Sequence, residues 1–470
     1  MRTSQKLPHC YGIMLNNKCM SDELKIKNRG ITMSGIEESI RSFLKNQGVQ
    51  VIGMAGPERL DGPPSLDPTY TMRGAKSIIC FAMPMDVSAI YDFLSKKTPV
   101  THNTDQLIVN QKIHHIAKRL ADYLCELGYR ARAVPTNNSY RRSLDLYSTH
   151  PSFSHRFGAI VSGIAGQGMS GNVMTKEYGA AIYLTTVVTD AVLKSDSLLP
   201  QRYFIDQYCK KCLICDKACP AKMFEMDKEE YVLLNGKLHP RGKHRSIDLC
   251  NASCFGLHSL SPDKKFSSWG HHWISSWVGR EPDPKKENIR KKLLIKGGSV
   301  GDSTVRYRLI HSIGYKLHPE EWIDDWKIVR RYKDLPQDEL EQCKVQSGLI
   351  KKYLGIKIEN PNVLTCGQCA LVCGPTIQES AKRLKLLREG GIVVPGKDGR
   401  TFVVKTFEEA RKIREQYPFR ISRAHMLSDS LQSAVLWMWF YFGIEPRSII
   451  QNWVYQHKLK RALKNAAAIR

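Results

Sequence analysis

Residues 209–220 read CKKCLICDKACP and carry the strongest pattern in the sequence. It places Cys209, Cys212, Cys215 and Cys219 in the spacing C-x2-C-x2-C-x3-C, with a proline directly after the last. Thiolates at every third position suit a tight loop around one inorganic core, and the fourth cysteine turns away toward a second core. Zinc sites more often present two separated pairs of ligands. The spacing therefore predicts [4Fe–4S] clusters.

A second cysteine motif, C-x2-C-x3-C followed by Gly-Pro, begins at Cys366. In two-cluster ferredoxins the last cysteine of each motif ligates the cluster of the other motif. Applied here, that crossing assigns cluster one to Cys209, Cys212, Cys215 and Cys373. Cluster two then receives Cys219, Cys366 and Cys369 and needs one further ligand.

The missing ligand lies in the stretch IDLCNASCFG, residues 247–256. Cys250 and Cys254 are both candidates; we favour Cys254, and a buried free thiol is the alternative for either one. The two motifs are far more widely separated than in a plain ferredoxin, so the clusters are predicted to be built into a larger protein that passes single electrons to an acceptor.

Apolar periodicity outlines the part before the cysteines. Buried strands are predicted at 49–54, 77–83 and 180–188, and helices at 36–44 and 111–128. Because strands alternate with helices, the first 200 or so residues are expected to form an α/β or α+β domain.

Composition limits the function classes. The 470 residues are 42% hydrophobic and 25% charged, which excludes a wholly disordered, collagen-like or coiled-coil chain. The net charge of +26 favours an anionic neighbour: nucleic acid, a membrane surface or an acidic protein. The sequence has no apolar run of membrane-spanning length and no apolar export signal near Met1, so a reducing cytoplasmic location is expected.

Residues 165–190, AGQGMSGNVMTKEYGAAIYLTTVVTD, lead into the first cysteine motif. This stretch resembles the AGLGxxGxN…PEYG…TD signature shared by cobalamin-dependent reductive dehalogenases and epoxyqueuosine reductases. In both families the signature precedes a CxxCxxCxxxCP motif, and a later cysteine and a final CxxCxxxCP complete two [4Fe–4S] clusters. The resemblance covers roughly residues 130–260 and 360–376.

The resemblance implies an α+β fold with a specific order of domains. After an N-terminal extension, residues 1–35, it implies a nitroreductase-like cobalamin-binding domain over 36–198. A ferredoxin-like domain with two [4Fe–4S] clusters would follow over 199–380, interrupted by an insertion at about 256–360. The insertion and the region after 380 match neither family; from its own sequence, the region 381–470 is predicted to be helical and basic. The corrinoid would be bound base-off and receive its electrons from the clusters.

The resemblance also implies which residues contact the corrinoid. Glycines let a backbone approach a large planar or phosphate-bearing ligand, whereas the simpler interpretation is a tight turn. The predicted contacts are Gly163, Gly166, Gly168, Gly171, Asn172 and Tyr178.

The proton donor departs from both families. Epoxyqueuosine reductases carry an aspartate three residues before a proline, where this chain has Ser148 before Pro151. The basic residue that follows the last glycine of the loop in both families is also absent, since Asn172 stands there. Reductive dehalogenases use a tyrosine, and histidine donates protons near neutral pH. The candidate donors are Tyr147, His150 and His155, and the alternative is that they are ordinary loop residues.

Three functions remain open at this level. The first is a corrinoid- and iron–sulfur-dependent reductase resembling reductive dehalogenases, which would act on a small organic substrate. The second is an epoxyqueuosine reductase-like enzyme acting on tRNA, which the net charge favours and the missing aspartate does not. The third is an iron–sulfur electron-transfer protein without corrinoid.

Several segments bear on partners. An acidic ferredoxin or flavodoxin is the expected electron donor, and the basic run 285–296 could guide it. The apolar run AVLWMWFYFGI, residues 434–444, fits a peripheral membrane contact, although a helix docked on the core or on a second copy in a homodimer is favoured. Trp269, Trp273 and Trp277 are spaced as a helical stripe, more typical of a packing face than of a ligand platform.

Overall fold

The computed structural model describes residues 35–134, 151–245, 250, 253–254, 259–270, 366–395, 401–416 and 446–468. The strands are β1 (Val51–Ala55), β2 (Ser77–Pro84), β3 (Ala131–Ala133), β4 (Gly166–Gln167), β5 (Val173–Met174), β6 (Ile182–Thr189), β7 (Phe224–Leu234), β8 (Lys237–His244), β9 (Ile392–Pro395) and β10 (Thr401–Val404). The helices are α1 (Ile36–Asn46), α2 (Val87–Leu94), α3 (Val100–Glu126), α4 (His155–Val161), α5 (Lys210–Cys212), α6 (Ile214–Lys217), α7 (Gln368–Leu371), α8 (Ile377–Gly390), α9 (Phe407–Gln416) and α10 (Pro446–Ala468).

A four-stranded sheet in the order β1-β2-β6-β3 forms the centre of the first part, and all its strand pairs are antiparallel. Strand β2 pairs along its whole length with β6 and is covered on both faces, which explains its unbroken apolar sequence. The three predicted strands coincide with β1, β2 and β6. The mixture of helices with antiparallel strands agrees with the α+β alternative.

The helices of the first part pack through regularly spaced apolar residues. On α1, Ile36, Ile40 and Leu44 recur every four residues and are buried. Helix α3 begins eleven residues before the predicted start, because its first turns are polar and carry no apolar period. It ends as predicted near Gly128, whose φ of +91° is a left-handed conformation that glycine adopts without strain.

The cysteine motifs lie on short, irregular elements. A single π-helical turn, Ile205–Cys209, runs into α5, and Leu213 with φ 49° separates α5 from α6. A shared apolar core then joins this part to the first, since Phe93 and Leu94 of α2 pack in one cluster with Ile214, Leu371 and Leu387.

The C-terminal region is not wholly helical, and that prediction was wrong for residues 392–395 and 401–404. Gly391 ends α8 with φ +99°, and the β-branched run Ile392–Val394 is buried as strand β9 of a hairpin with β10. Helices α9 and α10 follow. The hydroxyl of Tyr455 on α10 accepts a 3.1 Å hydrogen bond from the backbone N–H of Leu233, which holds α10 against β7.

Trp269 is buried, and its Nε1–H donates a 3.0 Å hydrogen bond to the carbonyl of Phe93, so it serves packing. Trp273, Trp277, the basic run 285–296 and the apolar run 434–444 lie outside the described residues. Within the described ranges, no helix combines the length and the apolar character needed to cross a membrane.

Candidate metal centres

The first group of thiols, thiol group one, comprises Cys209, Cys212, Cys215 and Cys373. The structure brings these four side chains around one cavity, although Cys373 comes from the distant second motif. The rest of the lining is apolar or neutral: Met169, Ser170, Met174, Tyr208, Leu213, Ile214, Gly374, Thr376, Ile377 and Ser380. The left-handed Leu213 turns the chain between Cys212 and Cys215, which allows both to face the cavity.

The second group, thiol group two, comprises Cys219, Cys250, Cys254, Cys366 and Cys369. The sulfurs of Cys250 and Cys254 lie 3.9 Å apart, and the thiol of Cys254 is hydrogen-bonded to that of Cys366. Cys219 belongs to the first motif in sequence, but in the structure it lies within electrostatic range of Cys366 and Cys369 of the second motif. Both candidates for the eighth ligand are therefore present, and the choice between them stays a prediction.

Burial dominates the chemistry of these thiols. It raises the pKa of Cys209 to about 11 and that of Cys373 and Cys369 to about 12, while Cys215 and Cys219 lie well above their usual pKa. The hydrogen bond from Cys254 lowers the pKa of Cys366 to about 7. Buried thiols packed this closely ionise readily only next to a cation, and metal coordination deprotonates a thiol outright.

In the part of the chain that the structure describes, no three His, Cys, Asp or Glu side chains are placed to share one metal ion. The ligands of a cubane cluster each bind a different iron, so they do not have to converge on a single point. The two thiol groups supply the donor type that iron–sulfur clusters use.

A buried lysine lies within electrostatic range of thiol group two. Lys96, at the end of α2, is 5% exposed, and its Nζ lies 5.8 Å from the ring centre of Trp269. Burial lowers its pKa to about 7, and the charge of Cys366 acts in the opposite direction. Among the described residues no carboxylate pairs with it. No local sequence pattern indicates that this lysine is buried, since it stands in the polar stretch LSKKTP, residues 94–99.

The glycine-rich stretch forms the hairpin β4–β5, which touches both thiol groups. A Cβ added to Gly168 would lie 2.9 Å from the sulfur of Met174 and 3.6 Å from that of Cys209, so glycine permits this approach to thiol group one. On the same hairpin, the side-chain Nδ2 of Asn172 donates a 3.3 Å hydrogen bond to the sulfur of Cys369 in thiol group two.

The other predicted corrinoid contacts pack against protein. A Cβ at Gly163 would lie 2.1 Å from the carbonyl oxygen of Ser197, one at Gly166 would lie 2.6 Å from the ring of Phe204, and one at Gly171 would lie 3.0 Å from His244. Tyr178 is half-buried in the turn after β5, where its N–H donates a 3.1 Å hydrogen bond to Thr175 Oγ1. These glycines allow close packing of the chain on itself, and contact with a corrinoid stays a prediction.

Beside Gly166 lies a cavity of about 330 Å³. The polar and basic residues in its lining are Arg59, Gln201, Asn235, Lys237 and His239. Burial lowers the pKa of His239 to about 4, so this imidazole is neutral near pH 7. The cavity lies at the lower end of the size range of small-ligand sites.

Only one of the three predicted proton donors is described. His155 is the first residue of α4 and is buried; its Nδ1 lies 2.9 Å from Thr186 Oγ1 of β6. Tyr147 and His150 lie outside the described residues, so their relation to His155 stays a prediction.

Comparison with curated proteins finds sequence similarity to reductive dehalogenases. Tetrachloroethene reductive dehalogenases from Dehalobacter restrictus and Desulfitobacterium hafniense are 26% identical to this chain over 191 residues, 41% of this chain and 30% of theirs. This chain therefore aligns with less than a third of the length of those relatives. No family model matches.

Two solved structures illustrate the structural comparison. A reductive dehalogenase linked to B12-dependent dehalogenation is 13% identical, with a TM-score of 0.35 over 62% of this chain and 38% of that one. An epoxyqueuosine reductase from Bacillus subtilis is 15% identical, with a TM-score of 0.32 over 76% of this chain and 100% of that one. The similarity to the tetrachloroethene enzymes confirms the resemblance to reductive dehalogenases that was predicted from the sequence.

Proposed function

We propose that the chain is an oxidoreductase that depends on two [4Fe–4S] clusters and a corrinoid, resembles reductive dehalogenases, and reduces a small organic substrate. The observation that carries the proposal is the placement of two thiol groups against one hairpin, β4–β5, whose sequence resembles the family signature. When bound, the clusters supply single-electron transfer and the corrinoid supplies the strongly reducing centre.

The residues present fit the clusters. Thiol group one offers four sulfurs around an enclosed, mainly apolar cavity, and thiol group two offers five, of which four suffice. Cys369 lies in the single turn of α7, Cys373 follows two residues after its end, and they belong to different groups, so the two groups are immediate neighbours. That proximity suits the passage of one electron from group to group.

For the corrinoid, the fit is partial. The cavity beside Gly166 offers Arg59, Lys237 and neutral His239, which suit amide and phosphate groups, but its volume of about 330 Å³ accommodates only a portion of so large a cofactor. The corrinoid is supported by the signature and by the similarity to reductive dehalogenases. We derive no reaction step through it.

His155 is the proposed proton donor that can be placed, with Tyr147 and His150 as alternatives. Its position at the start of α4, hydrogen-bonded to Thr186, fixes the ring against the sheet. An acidic ferredoxin or flavodoxin remains the proposed electron donor, because the chain carries a net charge of +26. The same charge supports the second candidate, a tRNA-directed enzyme resembling epoxyqueuosine reductases.

The test is anaerobic purification with cobalamin supplied, followed by iron and cobalt analysis and electron paramagnetic resonance (EPR). We expect about eight iron ions, four per cluster, and about one cobalt per chain. Replacing Cys212 by serine should remove the iron of one cluster. Replacing buried Cys80, which lies in β2 outside both thiol groups, by alanine is the control and should leave the iron content unchanged.

Each other outcome has a distinct meaning. Eight iron ions without cobalt would overturn the corrinoid and leave the electron-transfer protein. Iron well below four per chain would overturn the cluster assignment. If the cobalt-loaded protein binds tRNA in a salt-sensitive manner and leaves organohalides unchanged, the epoxyqueuosine reductase-like alternative replaces the proposal.

A further inference from the structure

The two thiol groups differ in the charge around them. The cavity of thiol group one is lined by neutral residues only: Met169, Ser170, Met174, Tyr208, Leu213, Ile214, Gly374, Thr376, Ile377 and Ser380. The backbone N–H of Met169 acts on the sulfur of Cys209, and that of Ala180, which donates a 3.0 Å hydrogen bond to the carbonyl of Cys373, also acts on the sulfur of Cys373. The cavity lining therefore contributes few positive dipoles and no cationic side chain, and the lysines of the first motif, Lys210 and Lys211, are exposed.

Thiol group two has a buried lysine nearby and a larger number of N–H donors. Lys96 is buried within electrostatic range of Cys366, its Nζ donates a 3.4 Å hydrogen bond to the carbonyl of Leu94, and among the described residues no carboxylate pairs with it. Arg156 also acts electrostatically on Cys369. Cys366 also accepts from the backbone N–H groups of Gly367 and Gln368, and Cys219 accepts from that of Met223 at 3.4 Å. The side chain of Asn172 donates to Cys369 at 3.3 Å.

The differences in charge and in hydrogen bonding all change the reduction potential of a cluster in the same direction. Reduction adds an electron to a centre that four thiolates already make negative. Net charge and hydrogen bonds to the sulfurs are two of the factors that set the potential of an iron–sulfur cluster. A buried cation and N–H donors stabilise the reduced form more than the oxidised form, and their effect is strong because the site is shielded from water.

We infer that Lys96 and Asn172 hold the cluster of thiol group two at a higher reduction potential than the cluster of thiol group one. The inference rests on the proposed function, because it requires that both clusters form. It makes Lys96 a residue of the electron path although it lies outside both cysteine motifs. It also explains why a buried lysine is tolerated here without a carboxylate: the anionic cluster is its partner.

The test is an anaerobic redox titration of the full chain, with each cluster followed by EPR and iron counted in every sample. The unmodified protein should show two one-electron steps. Lys96→Met should lower the higher step and leave the lower one in place. We expect at least a tenfold change in the electron distribution between the clusters, about 59 mV for one electron.

Three further variants make the result specific. Lys96→Arg keeps the charge and should restore the higher step. Lys97→Met, whose side chain is 73% exposed next to Lys96, is the matched control and should move neither step. Asn172→Leu removes the N–H···S bond and should lower the same step, which gives a second measurement if Lys96→Met does not retain its iron.

A shift of the lower step, an equal shift of both, or no shift in either Lys96→Met or Asn172→Leu at full iron content would overturn the inference. Absence of iron from the unmodified protein would instead overturn the proposed function, so the two failures are distinguishable.

Discussion

The sheet region, described over residues 35–134 and 151–198, and the thiol region, described over 199–245 and 366–390, are stabilised differently. In the sheet region large apolar side chains such as Ile40, Met54 and Phe81 bury one another completely. In the thiol region the helices that carry cysteines, α5, α6 and α7, are about one turn long, and the groups at the centre are thiols and a lysine. The first region is complete as a protein core, whereas the second is built around groups that a metal cluster would complete.

Removal of the clusters should have the largest effect on the difference between the two regions. Structural metal sites contribute on the order of 10 kcal/mol to the folding of small metal-binding domains. We expect amide hydrogens of α5, α6 and α7 to exchange fast once iron is chelated, while those of β2 and β6 stay protected. Hydrogen exchange with and without iron measures both regions in one sample. Equal loss of protection in β2 would contradict the separation.

The converse experiment is a substitution in the apolar core of the sheet region. Phe81 is fully buried on β2, and Phe81→Ala should cost about 3–5 kcal/mol of unfolding free energy through lost burial and a cavity. Denaturant unfolding measures this cost, and the iron content of the folded fraction should not change. Phe402→Ala, at a position 43% exposed, is the control and should cost far less. Iron loss in the folded fraction of Phe81→Ala would show that the two regions are not separable.

The sequence predicted the sheet region well where burial is periodic. Strands β1, β2 and β6 and the buried stripe of α3 follow from apolar patterns alone. The polar first turns of α3 carry no such pattern. The hairpin β9–β10 was missed because a short β-branched run is outweighed by the charged helical sequence around it.

The cysteines of the candidate site could be predicted from the sequence, whereas the residues around them could not. The spacing of thiols is a local property, and the structure places Cys373 beside the first motif and Cys219 within electrostatic range of the second, while the assignment of cluster ligands stays a prediction. The burial of Lys96 depends on α2, Trp269 and Cys366 meeting from distant parts of the chain. The role of Asn172 likewise depends on the position of Cys369, and no local pattern reports it.

Lowering the pH should reduce the stability of the sheet region through protonation of His102 of α3. This imidazole is buried, and burial lowers its pKa from 6.5 to about 4. The unfolded chain therefore binds a proton first as the pH falls, and stability is lost between pH 6.5 and 4, reaching about 3 kcal/mol. His102→Leu should remove that part of the pH dependence in denaturant unfolding of the iron-free chain. An unchanged pH profile in this variant would assign the acid sensitivity to other groups.

The last and smallest effect tests the contact between the regions. Gly179 follows β5 with φ +64°, and a Cβ there would lie 2.4 Å from the carbonyl of Gly374, while the neighbouring N–H of Ala180 donates a 3.0 Å hydrogen bond to the carbonyl of Cys373. Gly179→Ala should therefore cost about 2 kcal/mol or more, since the left-handed conformation alone costs about 1–2 kcal/mol, and it should displace Cys373.

Gly48→Ala is the matched control, because Gly48 has φ +80° but nothing within 4 Å of an added Cβ. Both variants carry the same conformational penalty, so any additional destabilisation of Gly179→Ala measures the contact between β5 and Cys373. Because Cys373 belongs to thiol group one, the iron of that group should fall in Gly179→Ala and not in Gly48→Ala. Equal iron in the two variants would mean that the sheet region does not help to hold the thiol group.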